Sequence, residues 1–142
     1  MRPRAALRSE LYRVLDGQLS VDVYVQKVSE GKSPGELVMI EAPSTPARGD
    51  IKEDTGHEVA QTIRIHTRAP KGQADLSRRD ELAAQVISAL DAATIDPDDH
   101  RVVDWPEEPH DDDPVSYEVS ASEQAHDILL TYRLYTQIKA TI

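Results

Sequence analysis

The 142-residue chain contains no cysteine and no phenylalanine, and only one tryptophan and six glycines. The absence of cysteine excludes disulfides and thiolate metal sites, and leaves the redox compartment unmarked. With aromatics at 4 %, a core must be made from Val, Ile, Leu and Ala. No apolar run approaches the roughly 20 residues of a membrane span. The basic opening Met1-Arg2-Pro3-Arg4-Ala5-Ala6 lacks a signal-peptide core, so a soluble intracellular protein without a membrane partner is expected. Phosphate-cradling glycine loops, His-Glu-x-x-His and Gly-x-Ser-x-Gly are also missing. No catalytic residue and no cofactor is therefore expected.

The length suits one domain, 1–142, with a real core. The net charge of −10 is unevenly spread. Residues 1–95 carry 13 basic and 14 acidic side chains, whereas residues 96–142 carry 3 and 12. A strongly acidic later part argues against nucleic acid as a tight ligand.

The strongest pattern runs from Gly56 to Leu90. Val59, Gln61, Ile63, Ile65 and Thr67 recur with period two, which predicts a strand with one mainly apolar face. A turn signal, Ala69-Pro70-Lys71-Gly72, precedes a helix opened by Ser77-Arg78-Arg79-Asp80. There Ser77 and Asp80 have the spacing of an Asp variant of the capping box. Ala83, Val86, Ile87 and Leu90 make its apolar stripe. A strand feeding an amphipathic helix through a turn packs the helix back on the sheet.

Before this unit, a helix is expected from about Pro3 to Asp16, with Leu7, Leu11, Val14 and Leu15 as its stripe and Gly17 ending it. Val21–Val25 alternates as a half-buried strand, Glu30–Gly35 reads as a turn, and Leu37–Ile40 is short enough to be a strand buried on both faces. The segment from Glu41 to Gly56 is polar and broken by Pro43, Pro46, Gly49 and Gly56, and reads as a long loop, either functional or disordered. Its Arg48-Gly49-Asp50 matches the cell-adhesion tripeptide. Nothing else points to secretion, so the glycine is read as serving a turn in a mobile loop, the alternative being a loop that orders only against a neighbouring subunit.

After it, Asp96–Pro114 holds nine acidic residues, one arginine, two histidines and four prolines, and reads as an acidic loop with Trp105 as its apolar anchor. Val115, Tyr117 and Val119 then alternate, Ala121–Gln124 resembles a turn, and Ile128–Ile138 reads as a long strand pairing back on Val115–Ser120 near the sheet centre.

Among chemical candidates, His66 falls on the strand face opposite Ile63 and Ile65 and is expected to face solvent. His57 beside Glu58 sits at a loop edge without a nucleophile at a recognisable spacing. Asp98, Asp99 and His100, followed by His110, Asp111, Asp112 and Asp113, are the best metal candidate. They match neither an EF-hand nor a zinc spacing, and a solvated acidic loop is preferred.

The order of elements, together with Ala5–Tyr12, Glu36–Ile40, Asp50–Gly56 entering Ile63–Thr67, Lys71-Gly72 and Val86–Leu90, resembles the tail-completion or tail-terminator proteins of long-tailed bacteriophages and related gene-transfer particles. The resemblance spans almost the whole chain. It departs at Pro34-Gly35-Glu36, where related sequences commonly have a proline–aromatic start, and in the enlarged acidic segment. It implies an α+β fold, an antiparallel sheet with helices on one side. It also implies a homo-oligomeric ring, typically a hexamer, that caps the tail tube, stops its polymerisation and offers a surface to head–tail connector (neck) proteins. DNA would pass through the lumen without specific binding, and the site of action would be the head-proximal end of the virion tail. On this reading Arg48, Asp50 and Lys52 in one segment, and Trp105, Asp111, Asp112 and Asp113 in the other, are candidate interface residues. The alternatives are a connector or tube subunit, and, further off, a small metal- or ligand-binding module using the acidic segment.

Overall fold

In the computed structural model, residues 3–26, 35–41, 56–70, 76–93, 95, 100–104, 110–111 and 115–138 are described. The fold is α+β: a mainly antiparallel sheet with two helices packed on one face. The chain runs through α1 (Pro3–Leu15), β1 (Val23–Val25), β2 (Glu36–Ile40), β3 (Gly56–Pro70), α2 (Ser77–Ala92), β4 (His100–Asp104), β5 (His110–Asp111), β6 (Val115–Glu118) and β7 (Glu123–Ile138). The order across the sheet is β1-β2-β3-β7-β4, with β5 and β6 also paired to β7.

Two long strands carry the architecture. β3 pairs antiparallel with β7 without a break from Gly56↔Gln137 to Pro70↔Glu123. That register sets Ile63 beside Leu130 and Ile65 beside Ile128, so the apolar parity of both strands meets on one face. Leu7, Leu11, Val14 and Leu15 of α1 and Leu82, Ala83, Val86 and Leu90 of α2 close over that face. Fully buried side chains such as Ile63, Ile65 and Leu130 each contribute about 1.5–3 kcal/mol by leaving water. Gly17 ends α1 as expected. At φ +82 it occupies the left-handed region that favours glycine.

Several local expectations are corrected. Ser77 does not cap α2: Leu76 is the N-cap residue and no side-chain cap bond forms. The Asp80 carboxylate instead accepts from Arg79, a buried guanidinium that needs an acceptor more than an exposed helix end does. Ala69 and Pro70 belong to β3, not to a turn, because β7 continues far enough to pair with them. Likewise Glu123 and Gln124 open β7, and the turn is tighter, with the Val119 and Ser120 amides donating to the Glu123 carbonyl. His57 lies within β3, opposite Thr136. β1 is buried at both Val23 and Tyr24, and it pairs parallel with β2. Residues 30–34 of the expected Glu30–Gly35 turn lie outside the described residues.

The largest correction concerns the acidic segment. It contributes β4 and β5, and these join β6 in one interrupted line along the outer edge of β7. His100 pairs with Ile138, His110 with Thr131, Val115 with Asp127 and Glu118 with Gln124. Like charges and prolines oppose regular structure locally, but a sixteen-residue central strand presents a row of main-chain groups that need partners. The described pieces, His100–Asp104, His110–Asp111 and Val115–Glu118, contain no proline, a residue that cannot donate to a ladder.

Candidate functional site

The sheet face opposite the helices carries a polar network centred on Asp127. β3 sets Thr62, Arg64, His66 and Arg68 on this face by strand alternation, and β7 sets Asp127 directly across from His66. Asp127 is 2 % exposed. Its Oδ1 lies 2.7 Å from His66 Nδ1, while Oδ2 accepts from Tyr117 Oη at 2.9 Å and from an Arg64 terminal nitrogen at 3.0 Å. Arg64 Nε also donates to Glu41 at 2.6 Å, and Arg68 Nε donates to His66 Nε2 at 3.0 Å. Beyond this group Thr62 and Thr131 hydroxyls meet at 3.1 Å. Four strand-borne elements are thereby tied together: the end of β2 through Glu41, then β3, β7 and β6.

The hydrogen bonds fix the chemistry of the imidazole. Nε2 accepts from Arg68, so Nδ1 carries the proton and donates to Asp127. Asp127 and Glu41 thus face Arg64, Arg68 and the His66 ring. Burial pushes the Asp127 carboxyl up, but donation and charge from His66, then donation from Tyr117 and Arg64, outweigh it and leave it below the usual value. Burial, and then the neighbouring Asp127, raise the Tyr117 hydroxyl. The Glu41 carboxylate, opposed by burial and aided by Asp127, raises Arg64.

An Asp–His pair of this kind orients a general base in many enzymes. Here the ring nitrogen that would take a proton is already occupied by Arg68, and no hydroxyl nucleophile bonds to it among the described residues. A Ser–His contact exists on the other face, where Ser116 Oγ lies 2.7 Å from His126 Nδ1. His126 is 4 % exposed and its Nε2 has no hydrogen-bond partner among the described residues, so no carboxylate orients that ring. Both arrangements fix strands in place. On the helix side, a groove of about 500 Å³ opens between the C-terminal ends of α1 and α2, lined by Arg13, Val14, Gln18, Ala89, Ala92 and Ala93. It holds one cation and no acid–base pair.

Of the residues expected to carry function, only Asp111 is among the described residues. Arg48, Asp50, Lys52, Trp105, Asp112 and Asp113 lie outside the described residues, as do Asp98 and Asp99. Asp111 is in β5, its backbone paired with Leu130. No group of three metal-ligating side chains occurs among the described residues.

His66 is corrected from solvent-facing to buried, at 7 % exposure, because Asp127 and Arg68 enclose its ring. Arg64, Tyr117, His126 and Asp127 were not legible as a group. The available signal was a His-Asp pair, His126-Asp127, at the head of a strongly apolar strand, where charge needs a reason. Comparisons of the chain with models of known protein families and with curated proteins find no match.

Proposed function

We propose that this protein is a structural subunit of a bacteriophage-type tail-completion ring, capping the tail tube, ending its polymerisation and receiving the neck proteins. One observation carries the reading: around Asp127 the polar side chains of the helix-free sheet face are bonded to one another, not poised around a vacant acid–base group. Asp127 ties β3, β6 and β7 into a rigid unit, and the one imidazole it orients is blocked by Arg68. A stiff, cross-linked face suits a protein that works by shape and repeated contact. The α+β layer arrangement also agrees with what the resemblance implies.

Ring closure requires a heterologous contact, in which two different surfaces of one copy meet their counterparts on the next. Such a contact needs no catalysis and no cofactor. In the particle, the negative charge of the later part of the chain would either face the lumen and keep passing DNA from adhering, or meet basic partners on the docking surface.

The test is mass measurement with negative-stain microscopy, on the protein alone and after mixing with tail-tube subunits. Closed rings, typically of six copies, are expected in at least one condition. A monomer in both, leaving tube length unchanged, would overturn the reading.

A further inference from the structure

We propose that β6 is an acid-released strap, held on β7 at neutral pH by two side-chain ties and freed when His126 becomes charged. The β3–β7 core stays paired while it opens. The strap would act whether or not the protein forms rings.

β6 is four residues long, and Val115, Ser116, Tyr117 and Glu118 are all exposed. Burial therefore does little to hold it. By contrast, β3 and β7 pair from Gly56↔Gln137 to Pro70↔Glu123 over a packed core. A short exposed strand opens at a lower free energy than such a core. Two ties oppose the opening. Tyr117 Oη donates to Asp127 Oδ2 at 2.9 Å on the helix-free face, and Ser116 Oγ lies 2.7 Å from His126 Nδ1 on the other. Both ties end at adjacent residues of β7.

The two respond differently to acid. The charged and titratable groups around Asp127 are His66, Arg64 and Arg68 on β3, Tyr117 on β6 and, through Arg64, Glu41 beyond β2. Burial pushes the Asp127 carboxyl up, but His66, Tyr117 and Arg64 outweigh it and leave it below its ordinary 3.8. The contribution of this carboxylate is complete above that value and is lost only as pH falls through the lower folded one. The Tyr117 tie thus survives mild acid.

The His126 tie does not. Its ring is 4 % exposed, and Nε2 has no hydrogen-bond partner among the described residues. By register, the described charged groups on its side of the sheet are Glu118 of β6, opposite Gln124, and Glu36 of β2, opposite Thr67. Glu36 is engaged by Arg78 of α2 at 2.8 Å, and neither carboxylate is hydrogen-bonded to the ring. An imidazolium carries two N–H donors, and burying one without an acceptor is costly. Charging the ring therefore favours its exit to water past Ser116, which breaks the tie. Release of β6 uncovers Asp127 and leaves β3, β7 and both helices in place.

Amide hydrogen exchange of the whole protein would be followed residue by residue from neutral pH to about pH 5, where imidazoles charge, and corrected for the intrinsic rate. Protection of β6 is expected to fall about tenfold or more across that range, while the amides joining β3 to β7 keep theirs. His126→Gln, which cannot charge, is expected to hold β6 protection level over the same range. Ser116→Ala alters an exposed side chain and removes the tie directly. At neutral pH it is expected to bring β6 down to about the wild-type acid value.

Unchanged β6 protection in acid, or loss of β6 and the core together, would overturn the inference. So would an acid dependence that survives His126→Gln, or a Ser116→Ala variant with wild-type β6 protection at neutral pH. If His126→Gln does not fold, wild type and Ser116→Ala decide the matter between them. Ring formation is read separately by mass, and its failure leaves the strap standing.

Discussion

Asp127 joins three strands through one buried carboxylate. Its donors come from His66 and Arg64 on β3 and Tyr117 on β6. Replacing it by Asn leaves these donors with a neutral amide in a buried site. Asp127→Asn is expected to cost about 3 kcal/mol near neutral pH, read as a fall in the urea midpoint. The pH dependence has a definite sign. The folded carboxyl titrates below its ordinary 3.8, so its stabilising contribution is complete above that value and disappears as pH falls through the lower folded one. The gap between wild type and Asp127→Asn should therefore close in acid. A constant gap from neutral pH to about pH 3 would show that the charge is not what stabilises. In the core, Ile63→Ala removes a side chain with 0 % exposure, and a loss of about 2–5 kcal/mol is expected by the same denaturation.

Among the elements, β7 is the hub. It is hydrogen-bonded to β3 on one side and to β4, β5 and β6 in turn on the other. Thr131 pairs with Thr62 and with His110, so Thr131→Pro breaks ladders on both sides and is expected to abolish the cooperative thermal transition seen by circular dichroism. Retention of a wild-type-like transition would mean that β7 is not central. Most of this element was legible. The parity of Ile128, Leu130, Tyr132 and Leu134 announced a long strand near the sheet centre, and the structure agrees. The neighbouring acidic stretch was misread because proline and charge content reports local preference only, whereas the demand for pairing came from β7. The cap of α2 was misread for a related reason: Arg79 took Asp80.

For the whole molecule, the governing feature is asymmetry. One sheet face is covered by both helices, the other carries the polar network around Asp127, and β4, β5 and β6 line the outer edge of β7. On the proposed reading, the segment from Glu41 to Gly56 supplies subunit or tube contacts, because its length and proline–glycine content suit a loop that orders on assembly. Deleting Ser44–Asp54 is then expected to abolish rings or to change tail length while the monomer stays folded. Normal rings and normal tails after that deletion would remove the segment from the interface.

By itself the sequence determined the fold class, the two helices with their buried stripes, the two long strands, and which parity of each faces the core. These follow from periodicity, which is a local property of the chain. Only the tertiary structure decided that β3 and β7 pair in the register that places His66 against Asp127, and that His100–Asp104 and His110–Asp111 pair with the edge of β7. Residues 61 positions apart meet only once a register is chosen. That choice is made by burying apolar surface across the whole sheet, beyond the reach of any local pattern.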